Sequence, residues 1–211
     1  LAGFGGALAA VALTLIVARA AGGRGDARTI LMAGVVVGAF ANAVIMVALA
    51  NSAANEVRGA LWWMMGSASD ASWDQVYILS GFVAVGVGAL LALGRSIDVL
   101  ALGDDAAAGL GVDVARASLA VYVCGALLAA GTVSAAGLVG FIGLLVPHLV
   151  RLAGARTHRT IIGAAALGGA SLVVLADLIA RTALPPAELP LGAVTALIGV
   201  PFFFALLRRL S

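Results

Sequence analysis

The stretch Gly137-Leu-Val-Gly140-Phe-Ile-Gly143-Leu-Leu-Val-Pro147-His148-Leu-Val-Arg151-Leu152 decides how this chain is read. Its apolar side chains suit a lipid bilayer, and its three glycines recur at helical spacing. Small residues at that spacing give a thin face on which another backbone packs closely. Val146-Pro147-His148 then interrupts the run and Arg151 closes it. Pro147 has no N–H for the carbonyl of residue 143 and crowds that carbonyl. Because residue 143 is glycine, a bend there is cheaper to accommodate. Counted from Ala136 to Val150, the run gives roughly 22 Å of helix, which is short for a full crossing. His148 lies one turn before Arg151, at an interface, where it reads as an interfacial cap.

The rest of the chain sets that stretch in a membrane. Of 211 residues, 63% are hydrophobic and 10% charged, too few charges to cover a soluble domain of this size. Apolar runs recur at about 1–18, 30–51, 75–94, 114–135, 137–153, 160–181 and 190–208. Each is read as a membrane helix, and together they form one all-α transmembrane domain over 1–211. Gly34 and Gly38 form a GxxxG pair on the second run, read as a packing face. Three tryptophans, Trp62, Trp63 and Trp73, fall between the second and third runs. Trp prefers the headgroup level, so they read as interfacial anchors.

Arginine sets the orientation. Lysine is absent, and all twelve basic residues are Arg. Arg19, Arg24, Arg28, Arg95, Arg116, Arg151, Arg156, Arg159, Arg208 and Arg209 fall on one side of the seven-run layout. Arg58 and Arg181 fall on the other. The positive-inside rule then puts the C-terminus in the cytoplasm and Leu1 near the outer face. Leu1 follows no initiator Met, and an N-terminal part is expected to be missing.

Composition also excludes function classes. The net charge of +2 and the lack of a basic, aromatic-interleaved patch argue against nucleic acid. Without lysine there is no Schiff-base chromophore. Cys124 is single and reads as a small packing residue. His148 and His158 have no cysteines near them, and HExxH is absent. No catalytic, cofactor-binding or metal-ligating set is expected. A secondary transporter, the alternative class, usually needs an acid or histidine in mid-membrane, and this portion has none. A seven-helix receptor or a membrane enzyme finds no support either.

Two polar features remain. Asp177 and Arg181 are four residues apart in ADLIAR, so they share a helix face and can pair. Spacing alone favours a structural pair over a docking charge. The connection Ser96–Ala117 carries Asp98, Asp104, Asp105 and Asp113. The Asp104-Asp105 pair, followed by helix formers and then Gly111, predicts a short helix with acidic N-terminal residues. A short helix held between two membrane helices reads as a docking element.

Five ordered stretches carry a family resemblance: ILMAGVVVGAF, WWMMGSASDASW, DVLALGDDAAAGLGVDVARA, AGLVGFIGLLVPHLVRLAGARTHRT and LADLIARTALPPAELPLGAVTALIGVPFFFALLRR. The chain resembles the FecCD-type permease subunits of ATP-binding-cassette importers for ferric siderophores, haem and vitamin B12. The resemblance covers nearly the whole chain. It implies a ten-helix permease, of which this chain would be the last seven helices. It also implies a bacterial cytoplasmic membrane location and a second permease copy, as homodimer or pseudo-dimer. A separate ATPase subunit and a periplasmic or lipid-anchored binding protein would complete the importer.

By that resemblance Leu102, Gly103, Asp104, Asp105, Ala106, Leu110, Gly111 and Val112 form the coupling helix that enters a cleft of the ATPase. The family often has Glu where Asp104 or Asp105 stands. Arg181, with Asp177 fixing its rotamer, matches an arginine that faces the binding protein, which turns the reading of that pair from structure to docking. The short loop Gly25–Thr29 matches the region of the cytoplasmic gate. There Ala27 and Arg28 precede Thr29 at positions where small hydroxyl residues are common.

Overall fold

A computed structural model describes residues 2–22, 27–69, 71–185 and 187–210. The described residues form helices and connections, with no strand among them. The helices are α1 (Ala2–Ala20), α2 (Ala27–Ala50), α3 (Ala54–Met64), α4 (Trp73–Leu100), α5 (Asp104–Gly109), α6 (Val114–Ala136), α7 (Ile142–Leu152), α8 (His158–Thr182) and α9 (Leu191–Leu210). Four of them contain stretches long and apolar enough to cross a bilayer: Arg28–Ala50, Trp73–Leu100, Val114–Ala136 and His158–Thr182. Gly5–Ala20, Ile142–Leu152 and Leu191–Phe204 are shorter apolar helices.

Local chemistry explains the starts. Ser72 and Gln75 cap α4 reciprocally, each side chain taking the other's backbone N–H at 3.4 Å. Asp113 takes the N–H of Arg116 at 3.0 Å to open α6, and Thr157 takes that of Thr160 at 3.4 Å to open α8. Glu56 reaches back to the N–H of Ala53 at 3.3 Å, which starts α3 inside the tryptophan-bearing connection.

Glycines seat neighbouring helices, but not where the GxxxG spacing points. Gly86 on α4 receives Leu128 of α6, and Gly131 of α6 receives Phe82 of α4, whose ring lies 2.5 Å from where a Cβ would stand. Gly168 and Gly169 of α8 seat Val146 and Ile142 of α7. Gly34, by contrast, meets only Thr14 at 3.9 Å, and nothing lies within 4 Å of a Cβ at Gly38. The buried residues of α2 are Ala33 and Val37 instead. A core of Ala176, Ala180, Leu191 and Val194 joins α8 to α9.

Two expected boundaries move. The third run is expected to end at 94, where the polar Arg95 and Ser96 follow, yet α4 continues to Leu100, with Gly94 buried against Arg159 of α8. The expected helix 137–153 begins only at Ile142. Gly137 ends α6 with φ 72° and ψ −161°, a backbone region open essentially to glycine alone. Gly137 and Gly140 are therefore outside the helix, and only Gly143 lies on it. The periodicity that suggests a packing face marks a chain reversal.

Candidate functional site

The bundle has two contrasting ends. At one, α4 and α6 are joined by α5. Gly103 (φ 101°) and Gly111 (φ 82°) bracket this helix with conformations that side chains rarely adopt. Asp104 and Asp105 occupy its first turn, where negative charge complements the helix dipole. Both are exposed, as are Leu102, Gly103, Ala106, Leu110 and Gly111, while Val112 is half-buried. The large apolar side chains Leu102 and Leu110 stand 66% and 64% exposed on either side of the two acids. Ala107, absent from the expected set, is fully buried and anchors α5, and its carbonyl takes the N–H of Val112 at 3.0 Å. Asp113 pairs with Arg116 at 3.1 Å. Of the expected gate loop, residues 25 and 26 lie outside the described residues, while Ala27, Arg28 and Thr29 open α2 as its first turn.

The same end holds a cluster that sequence reasoning misses. Asp98, in the last turn of α4, accepts the backbone N–H of His158 at 2.8 Å and faces its Nδ1 at 2.6 Å. The guanidinium of Arg151, at the end of α7, lies 3.5 Å from His158 Nε2. A guanidinium only donates, so the ring accepts at Nε2 and donates from Nδ1 to Asp98. Arg159 Nε donates to the carbonyl of Leu91 at 3.1 Å. The polar break Gly94-Arg95-Ser96 hides this cluster in the sequence, because it conceals the continuation of α4 that carries Asp98 to α8.

At the other end, three segments meet through main chain. The Ser67 N–H reaches the Ala136 carbonyl at 3.0 Å. The N–H groups of Leu191 and Gly192 reach the carbonyls of Gly66 and Met65, both at 3.1 Å. A Cβ at Gly137 would overlap the Trp63 carbonyl, and one at Gly192 would stand 2.6 Å from the Leu138 carbonyl. Phe141 (φ 66°), the non-glycine residue with positive φ among those described, completes the reversal and packs under Gly199 of α9. Pro147 lies inside α7 and His148 beside it is half-buried.

Asp177 and Arg181 belong to this end. Arg181 Nε donates to Asp177 Oδ2 at 2.8 Å, and the two side chains are 41% and 26% exposed, respectively. Ser69 donates to Glu188 at 2.5 Å across the connections, beside a cleft of about 600 Å³ lined by Trp62, Trp63, Gln75 and Ser134 among others. Trp62, Trp63 and Trp73 are each more than half exposed. Among the described residues no three metal-ligating side chains come together.

An apolar helical bundle with a short acidic helix displayed at one end and a paired arginine at the other defines a polytopic membrane protein. The model of the FecCD transport family matches residues 1–209, and the chain belongs to that family. It is 37% identical to the hemin transport system permease protein HmuU of Yersinia pestis, over 93% of this chain and 59% of that protein. It is 40% identical to the cobalamin import system permease protein BtuC of Halobacterium salinarum, over 98% of this chain and 55% of that protein. The chain thus spans somewhat more than half the length of these relatives. A solved inward-facing structure of a metal-chelate type ABC transporter matches with a TM-score of 0.88 at 25% identity, over 98% of this chain and 72% of that one.

Proposed function

We propose that this chain is the permease part of an ATP-driven importer that carries haem, a cobalamin or a ferric siderophore across the bacterial cytoplasmic membrane. Family membership supports the class, and the relatives' haem and cobalamin transport supports the cargo range. The observation that carries the mechanism is α5. An element with one buried residue, two exposed acids and two exposed leucines beside it has little to do inside its own bundle. It suits a cleft in a separate ATPase subunit. The arginine asymmetry supports a cytoplasmic α5 end and a cytoplasmic C-terminus.

At the opposite end Arg181, held by Asp177, offers a cation to an acidic surface of a substrate-binding protein. A second permease copy, as homodimer or pseudo-dimer, would complete the pathway. ATP binding to the ATPase would shift α5 and switch the bundle between outward and inward access. The permease must hold its cargo weakly, because tight binding to one state would oppose the switch. Residues Ala27, Arg28 and Thr29, at the α5 end by the same orientation, would stand near the inner gate. ATP hydrolysis belongs to the partner subunit.

The test is reconstitution of the permease with its ATPase and binding protein in liposomes. Asp105→Arg reverses a charge at the ATPase contact and should abolish stimulation of ATP hydrolysis by the loaded binding protein while that protein still docks. Arg181→Glu should weaken docking by about tenfold, since like charges then face each other. Normal transport in the Asp105→Arg protein sinks the coupling role, and unaltered docking in Arg181→Glu sinks the other.

A further inference from the structure

We infer that Asp98, His158, Arg159 and Gly94 form the joint through which displacement of α5 is passed to α8 and so to the Arg181 end. The inference rests on the importer reading and goes beyond it by naming the connection between the two contact points. Asp98, His158 and Arg159 are positioning residues, since they lie away from both proposed docking contacts.

The geometry is specific. Leu91, Gly94 and Asp98 are spaced i, i+3 and i+7, so they form one face of α4. All three engage the first two residues of α8. Asp98 takes the His158 N–H at 2.8 Å and faces the His158 ring at 2.6 Å. That N–H belongs to the first turn of α8, whose donors have no partner within the helix. The α8 cap Thr157 serves Thr160 instead, so α4 supplies a cap from another element. A carboxylate there also complements the positive end of the α8 dipole. The Leu91 carbonyl takes the Arg159 guanidinium at 3.1 Å. Gly94 lies between them, and a Cβ there would stand 2.5 Å from Arg159 Cγ. Hydrogen bonds and close packing thus fasten the start of α8 at three positions along one face of α4.

Both sides of the joint lead somewhere. Asp98 is five residues before Gly103, which opens α5, so a pull on α5 acts on the last turn of α4. On the far side, α8 runs unbroken for 25 residues without proline, about 37 Å of helix. Its last turns carry Asp177 and Arg181 and are set against α9 through Ala176 and Ala180. A continuous helix held by its first turn moves its last turn with it. Arg151 contacts His158 at 3.5 Å and brings the end of α7 to the same point.

Hydrogen–deuterium exchange on the permease–ATPase complex in nanodiscs, with and without a non-hydrolysable ATP analogue, tests the joint. In the wild type, nucleotide should change exchange both at residues 102–112 and at residues 177–183. In Asp98→Ala the change at 102–112 should persist, and that at 177–183 should fall about tenfold, within the usual span of coupling between sites. Asp98→Asn keeps an oxygen for the His158 N–H and should restore most of it. Gly94→Ala, which displaces the Arg159 stem, should uncouple as Asp98→Ala does. A purely structural role would raise exchange at the start of α8 in every state and leave the nucleotide response at 177–183 intact, which overturns the joint. So does a wild type that responds at 102–112 alone. If the wild type responds at neither segment, the importer reading falls and the joint falls with it.

Discussion

The two ends of the bundle are held together by different chemistry. At the α3 end, residues 65–67, 136–138 and 190–192 meet main chain to main chain, with glycines where a Cβ has no room. At the α5 end, α4, α7 and α8 meet through the side chains of Asp98, His158, Arg151 and Arg159. Main-chain contacts have almost no alternative rotamers. A side-chain joint can yield to an added group by a rotation about χ, giving up one contact without moving the backbone. The contrast is between a fixed end and an adjustable end, and glycine substitutions measure it, because one methyl group probes both.

The largest effect is expected at Gly137→Ala. The added Cβ meets the Trp63 carbonyl and stands 2.9 Å from Gly66 Cα, neither of which can swing aside. The backbone at φ 72° and ψ −161° adds strain of its own for any residue with a Cβ. Together these should cost about 3 kcal/mol or more. Denaturant titration in micelles, followed by tryptophan fluorescence, would show it as a lower midpoint. An unchanged midpoint would mean that the α3 end is not held by its main chain.

Gly94→Ala sharpens the comparison. Its Cβ would also be too close to a neighbour, Arg159 Cγ, but that atom belongs to a flexible stem. The stem can move at the expense of the Leu91 contact, and alanine regains some helix propensity, so the net loss should be about 1 kcal/mol. The same titration checks it. A loss as large as at Gly137 would erase the distinction between a fixed and an adjustable end.

How much of this is legible in the sequence follows the same division. Hydropathy marks the apolar helices, and the acidic pair between Gly103 and Gly111 marks α5, because both signals are local. The coupling and docking assignments come from resemblance, since spacing alone leaves the Asp177–Arg181 pair looking structural. Asp98 reads as one more acid in a connection. Its partner is 60 residues away, and nothing local says that α4 runs on through Gly94-Arg95-Ser96. Ala107 escapes notice because a small buried residue in a row of alanines has no pattern of its own. In GLVGFIG the spacing of three residues fits a helix, and periodicity carries no sign of φ.

Gly140→Ala is the smallest effect and the most direct check on that reversed reading. A helical face running through Gly137, Gly140 and Gly143 predicts that all three resist a methyl group, since each would keep two backbones close. The structure separates them. Gly140 lies in the connection between α6 and α7, where its carbonyl takes the Ile142 N–H at 2.9 Å. Its φ is not positive, and nothing lies within 4 Å of the place a Cβ would take. The substitution should therefore stay within about 0.5 kcal/mol of the parent, as exposed substitutions do. Gly140→Ala and Gly137→Ala, measured side by side, should differ severalfold in cost although the two glycines look alike in sequence. Equal losses would restore the packing face and remove the main-chain reversal as the reason for this motif.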